Sequence, residues 1–195
     1  KNQNMDFIHL LILSAIQGIT EFLPISSQSH LILTSSILGI PDQGVGFDIA
    51  LHFGSLVAIL IYYRREIKKI FTLSHEGNVY LKLIILGSIP LPIIGLMFID
   101  IVSMNLRNVT SIAIMTIIFA IFLYIADMKK TVAISSLKSL SIFTIIFIGI
   151  MQTLAIIPGV SRSGIVITAA LLAGFSKKDS IQIAFLLSIP AIFMA

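Results

Sequence analysis

The chain contains no cysteine and no tryptophan, and only 11% of its residues are charged. Without cysteine there is no disulfide framework and no thiolate metal site, and the redox compartment leaves no trace in the sequence. Without tryptophan, an aromatic belt at a membrane interface must be built from Tyr62, Tyr63, Tyr80, Tyr124 or phenylalanine. The shortage of charge is the most restrictive absence. Soluble domains are about 25% charged and about 45–50% apolar. Here 57% of residues are hydrophobic and the mean hydropathy is +1.05. Those values set aside a large soluble helical domain in favour of a membrane protein. The net charge of +4 is modest, and nucleic acid is not an expected partner.

What is present is a series of apolar runs. Those at 47–63, 81–101 and 109–126 approach or reach the roughly 17–25 residues that cross a hydrocarbon core. Arg64, Arg65, Lys68 and Lys69 stop the first; Asp127, Lys129 and Lys130 follow the third. Pro90 and Pro92 are expected to kink the second. Residues 41–44 and 105–108 read as turns or loops. The start, 1–16, has a lysine and a short apolar run but no small-residue cleavage site, so it is expected to belong to the mature protein.

An internal repeat organises the rest. A shift of 134 positions lays Pro24 on Pro158, Ser27 on Ser161, Ser29 on Ser163, Thr34 on Thr168, and Ile49-Ala50 on Ile183-Ala184. Repeat one runs over about 7–65, intervening spans occupy 81–126, and repeat two starts near 140, within a single membrane domain over 1–195. The chain stops at Ala195 inside an apolar run with no basic stop, so the second copy is expected to continue. Two copies of equal length would give roughly 265–270 residues.

The basic segments 64–69, 129–138 and 177–178 are expected on the cytoplasmic side. An odd number of spans then separates the copies, which makes them an inverted-topology pair. In each copy two apolar runs, neither of which crosses comfortably with the polar tip at its end, flank that tip: 7–16 and 31–40 around 17–30, and 140–157 and 165–175 around 158–163. The predicted fold is all-α: a polytopic membrane protein with inverted-topology repeats, each holding a re-entrant helix–loop–helix whose backbone is satisfied within protein or a wet cavity. The two tips should meet near the middle of the bilayer.

The first tip carries Gln17, Glu21, Pro24, Ser26, Ser27, Gln28, Ser29 and His30. Gln17 and Glu21 are four apart and share a helix face. A carboxylate at membrane depth costs several kcal/mol unless it is paired or metal-bound, so Glu21 reads as functional, with a helix cap or an interhelical salt bridge as the structural alternative. Ser26 and Ser29 serve equally well as N-caps. Ser27 is a hydroxyl with His30 close by, the minimum for nucleophilic displacement; His30 could instead attack phosphorus or protonate a leaving group.

The second tip reads Pro158-Gly159-Val160-Ser161-Arg162-Ser163-Gly164. Glycine permits close backbone approach, successive loop N–H groups ahead of a helix form an anion nest, and the Arg162 fork matches phosphate oxygens. The spacing is not that of a Walker loop. A purely structural Arg162–Glu21 ion pair is the plainer alternative. Asp48 and His52 share a helix face within 47–63 and could extend the polar site or hold a metal, with a structural role as the simpler reading.

At these residues the chain resembles the undecaprenyl-diphosphate phosphatase family, also known for bacitracin resistance. The likeness rests on Gln17 and Glu21 in a Gln/Glu-x-x-x-Glu pattern, the Ser-rich segment 26–30 ending in His30, and the Pro158–Ser163 motif with Thr168 beyond it. Two departures stand out: many relatives have Glu at the position of Gln17, and Thr-Gly where this chain has Gln28-Ser29. The resemblance implies a metal-dependent enzyme of the bacterial cytoplasmic (inner) membrane, multi-pass, with its site facing the periplasm. It would remove the terminal phosphate of undecaprenyl diphosphate and so recycle the lipid carrier for cell-wall synthesis.

On that footing Glu21, Ser27, His30 and Arg162 are the expected catalytic residues, with Ser27 or His30 as nucleophile. Ser26, Gly159, Ser161, Arg162, Ser163 and Thr168 are expected to bind the diphosphate. Glu21 with Gln17 would hold a divalent cation, Mg2+ or alternatively Ca2+. The expected partners are the polyprenyl diphosphate lipid, membrane lipids and a second copy of the chain. A transporter or flippase for a phosphorylated lipid is the alternative, since inverted repeats meeting at the midplane are also a transporter design. A different lipid phosphatase type would need a second histidine with a following aspartate and an upstream lysine–arginine pair, and no such set occurs in order here.

Overall fold

The computed structural model describes residues 6–40, 45–72, 74–106, 108–128, 137 and 140–193. The expected turn at 41–44 and nearly all of the basic segment 129–138 lie outside the described residues. Ten α-helices account for most of what is described, with no strand among the described residues: α1 (Phe7–Thr20), α2 (Ser27–Leu38), α3 (Val45–Tyr62), α4 (Arg64–Phe71), α5 (His75–Ser88), α6 (Pro90–Leu106), α7 (Val109–Met128), α8 (Ile142–Gln152), α9 (Arg162–Leu172) and α10 (Lys177–Phe193). A 3₁₀ turn, Thr153–Ile156, follows α8.

Local chemistry sets many of the ends. The hydroxyls of Ser74, Ser141 and Ser161 each accept a backbone N–H three residues on, capping α5, α8 and α9. Gly39 ends α2 with φ 67°, a left-handed cap open to glycine. Pro90 and Pro92 were expected to kink a span. They instead occupy the first turn of α6, where a missing N–H costs little. The interruption falls at Ile89, and His75–Phe98 remains long and apolar enough to cross a membrane, as does Val109–Met128. The α3–α4 pair passes the same test together but bends by 71°.

That bend is a departure from the sequence reading, in which 64–69 is only a basic stop. Residues 64–71 fold as a short amphipathic helix. Ile67 and Ile70 pack against the core while Arg64, Arg65 and Lys68 stay exposed. A Cβ on Gly77 would collide with the Lys69 carbonyl, so glycine is what lets α4 lie on the start of α5. Lys69 donates to Glu76 at 2.6 Å, and that hydrogen bond holds the Lys69 pKa above its ordinary value. Lys177 reaches Asp127 at 2.6 Å, and Gln182 donates to Tyr80 at 3.5 Å. Helix α4, the start of α5, the end of α7 and the start of α10 therefore gather at one end.

Helix α9 forms the centre. Every residue from Ser163 to Leu171 is buried, as expected of a helix apolar all round. It is enclosed by α7, α8 and α10, the last contributing Ile183, Ala184, Leu186 and Leu187. The outer surface is apolar too. Leu96, Ile117, Phe122 and Phe143 are exposed on α6, α7 and α8, which suits lipid and not water as the surrounding medium. Helices α5 and α8 cross at glycines: a Cβ on Gly149 would sit 2.6 Å from the Gly87 carbonyl oxygen. Small residues at such crossings let backbones approach where lipid supplies no hydrophobic drive.

Gly149→Val should therefore force α5 and α8 apart, at a cost of about 1–3 kcal/mol. Thermal unfolding of the purified protein in detergent should show a lower midpoint than for Gly18→Val, since a Cβ at Gly18 meets nothing within 4 Å.

Candidate active site

Each polar tip is built by the helix ends around it. Glu21 follows the last residue of α1, and its N–H donates to the Gln17 carbonyl at 2.9 Å. One helical turn back, the Gln17 amide Nε2 donates to Glu21 Oε2 at 3.2 Å. The chain then reverses through 22–26 into α2. Ser26 takes φ 60°, the one positive value at a non-glycine among the described residues, and such a conformation costs about 1–3 kcal/mol. Immediately after it, Ser27 Oγ donates to Glu21 Oε2 at 2.7 Å.

The second tip is clamped against α7. Gly159 has φ 94°, and a Cβ there would strike the Ile112 carbonyl. Thr116 Oγ1 donates to the Gly159 carbonyl at 3.0 Å. Ser161 caps α9, taking the Gly164 N–H at 3.2 Å. The earlier amides of that turn have no intrahelical acceptor, and the helix dipole makes this end partly positive.

The two tips meet through side chains. Arg162 Nη2 donates to Glu21 Oε1 at 2.6 Å, and Nη1 to the Ala184 carbonyl at 3.3 Å. Ser163 Oγ donates to the Leu23 carbonyl at 3.0 Å. The Glu21 and Arg162 side chains are only 7% and 17% exposed, so the pair is largely out of solvent. Glu21 is thus surrounded by donors: Arg162 on one oxygen, Ser27 and Gln17 on the other. His52 Nε2 stands 3.5 Å from that second oxygen.

These groups line a cavity of about 260 Å3, among them Glu21, Ser27, His52, Ser161, Arg162 and Ser163, with apolar walls that include Leu91 and Ile192. Ser26 also faces it. Gly159 lies in an adjoining recess of about 230 Å3 that shares Ser26 and Val160 with the first. Gln17 is buried behind Glu21. The sequence places His30 beside Ser27. In the structure the Ser27 hydroxyl is bonded to Glu21, and the His30 Nδ1–H donates to the Ser26 carbonyl at 2.9 Å. The His30 ring lines a third recess, with Phe119, Ser161 and Ile165. Thr168 is turned away: it is buried in α9, donates to the Gly164 carbonyl at 2.8 Å, and lines none of these three spaces.

His52 is the residue whose place the sequence left open. Its signal was there, a polar pair four apart inside an apolar span, but spacing alone does not say which tip that face meets.

The resemblance implies a divalent cation, and the donors available were tested against it. No group of three or more His, Cys, Asp or Glu capable of holding a metal occurs among the described residues. What is present is one carboxylate, Glu21, and the Gln17 Oε1 oxygen, buried with no hydrogen-bond partner. Two hard oxygens suit a magnesium-type ion that takes its remaining ligands from water and phosphate, and do not suit an all-protein cage.

Removing one partner of a buried ion pair leaves the other charge uncompensated, at a cost of about 3–5 kcal/mol. Glu21→Gln and Arg162→Leu should each destabilise the fold strongly. The double variant should recover much of the loss in a thermal-unfolding cycle, whereas additive losses would show the two charges to be independent.

The same residues fall inside a family match. The family model for the bacitracin resistance protein BacA matches residues 10–195. The undecaprenyl-diphosphatase of Teredinibacter turnerae is 44% identical over 201 residues, covering 98% of this chain and 75% of that protein. That of Alcanivorax borkumensis is 45% identical over 202 residues, with 98% and 75% covered, and that of Campylobacter concisus 44% over 200, again 98% and 75%. This chain thus spans about three quarters of the length of these relatives. With likeness of that extent running through both polar tips, the chain belongs to the BacA bacitracin resistance protein family.

Proposed function

We infer that the chain is an undecaprenyl-diphosphatase, hydrolysing undecaprenyl diphosphate to undecaprenyl phosphate and inorganic phosphate. The relatives named for that activity support the reading. The observation that carries it in this chain is the Ser27–Glu21–Arg162 array: a hydroxyl, its proton acceptor and an anion-binding guanidinium on one cavity with apolar walls.

The roles follow from the geometry. Arg162 and the first turn of α9 bind the diphosphate, exchanging the Glu21 oxygen for phosphate oxygens. Ser27 Oγ attacks the terminal phosphorus, and its proton passes to Glu21 Oε2, 2.7 Å away. The bond to the bridging oxygen breaks and the lipid monophosphate leaves. Water then attacks the phosphoserine, inorganic phosphate departs, and Ser27 regains its proton from Glu21. A magnesium-type cation, held by Glu21 and Gln17, would neutralise charge on the phosphate oxygens. Glu21 is chosen over His30 as base because it already accepts the Ser27 hydrogen, while His30 faces another recess.

Placement of the site supports a membrane enzyme open to the periplasm. Ala184, which accepts from Arg162, lies about 10 Å along α10 from Lys177 at 1.5 Å per residue, a distance that agrees with an array at membrane depth. Leu91, Ala191 and Ile192 line the cavity on the side away from the lysine-bearing end of α10. With the basic end in the cytoplasm, the opening faces outward. The inverted repeat is part of the same proposal. The 134-residue shift lays α2 (Ser27–Leu38) on 161–172, nearly the span of α9 (Arg162–Leu172), and each helix follows a short apolar helix and a polar tip.

Phosphate release from undecaprenyl diphosphate by the purified, reconstituted protein tests the reading. Ser27→Ala should lower kcat by at least about 10³-fold while KM changes little, since it removes the nucleophile and not the anion site. His30→Gln should cost far less. Wild-type protein that binds the lipid with metal present and releases no phosphate would overturn the assignment.

A further inference from the structure

His52 stands at the edge of the same cavity with both ring nitrogens beside oxygen acceptors. Its Nδ1 lies 2.7 Å from the Asp48 carbonyl oxygen. A carbonyl only accepts, so Nδ1 carries the hydrogen, and in the neutral ring Nε2 is bare. That bare nitrogen points at Glu21 Oε2 from 3.5 Å and lines the cavity. With the ring neutral, two lone-pair atoms face one another there. Behind Glu21 is a third acceptor: Gln17 Oε1, buried without a partner, in the residue whose amide nitrogen binds Glu21.

We propose that His52 Nε2 is a nitrogen ligand of the divalent cation, forming with Glu21 a mixed nitrogen–oxygen face toward the diphosphate. The assignment rests on the metal-dependent phosphatase reading and adds to it a ligand that the polar tips do not contain. Metal-bound histidines characteristically donate their other ring N–H to a carbonyl or carboxylate, which fixes tautomer and ring angle. The Asp48 carbonyl does this here. Two donors 3.5 Å apart can share one ion at bond lengths of about 2.1 Å, subtending roughly 110°. The position is also well held. Asp48 and His52 sit one turn apart on α3, which packs against both α1 and α10, so the ring is fixed relative to the tip that carries Glu21.

Mn2+, a spin-active substitute for Mg2+, gives a test that does not depend on turnover. The probe is Mn2+ added to the purified wild-type protein in detergent, read by pulsed electron-spin resonance for a directly bound imidazole nitrogen. The expected result is a 14N modulation that becomes a 15N pattern on histidine labelling. His52→Gln should lose it and bind Mn2+ at least about tenfold more weakly, and His30→Gln should keep it. Bound Mn2+ without a nitrogen signal in the wild type, or a signal that survives His52→Gln, overturns the proposal. The wild-type measurement decides even if a variant folds poorly. Phosphate release is assayed separately: hydrolysis without the nitrogen signal sinks His52 as a ligand and leaves the phosphatase reading intact. A nitrogen signal without hydrolysis does the reverse.

Discussion

The structure depends on one ion pair, Arg162 with Glu21, held largely out of water between two loops more than a hundred residues apart in sequence. Either charge alone at membrane depth would be costly. Together they are tolerable only with good geometry and further hydrogen bonds. The chain supplies both: a short contact from the guanidinium, two more donors on the carboxylate, and a backbone carbonyl for a second guanidinium nitrogen. Much else follows from holding these groups together. Ser163 ties its loop to Leu23, Gly159 lets the same loop press on α7, and buried α9 fixes the direction in which Arg162 leaves the backbone.

How much of this was legible in the sequence depended on how expensive each residue is in lipid. Glu21 and Arg162 could be paired before any coordinates, because an apolar chain offers few ways to keep such groups. The all-helical class and the spans expected at 81–101 and 109–126 followed from composition and run length, and the structure has them as His75–Phe98 and Val109–Met128. Amphipathic α4 did not, since eight residues with four basic side chains read as a loop when the partner face on α5 is unknown. Ser27 was singled out for its neighbour His30. The fold gives its hydrogen to Glu21, because sequence proximity in a tight turn does not fix ring direction and the nearest acceptor for His30 is the Ser26 carbonyl. Thr168 shows the opposite failure. The repeat marked it as a hydroxyl worth keeping, yet a threonine inside a helix can satisfy itself on the carbonyl four residues back, and this one does.

The array is also held by contacts within the protein itself. Catalysis by preorganised donors requires that they not be rebuilt when substrate enters. Here the Ser27–Glu21 bond and the Arg162 guanidinium are already in position, and Ser26 keeps a backbone conformation that an unconstrained serine would leave. Relaxing that turn would rotate the start of α2, and with it the Ser27 hydroxyl, relative to Glu21. The strain is thus coherent with a site in which a shift of about 1 Å has large kinetic consequences.

On the proposed reading, charge balance would tie a diphosphate and a divalent cation to the same event. With Glu21 and Arg162 paired, the cavity is close to neutral. When phosphate oxygens take over the guanidinium, Glu21 keeps only the neutral donors Ser27 and Gln17, and the incoming group adds further negative charge in a medium of low dielectric. One guanidinium cannot offset both. On that reading a cation between Glu21 and the diphosphate would restore balance, on the side of the carboxylate that His52 approaches to 3.5 Å. A neutral headgroup would gain nothing from breaking the ion pair, and a monoanion would leave Glu21 uncompensated without bringing a second oxygen set to share a metal. On that reading the pair would act as a filter, yielding to a ligand with enough charge to recruit its own counter-ion.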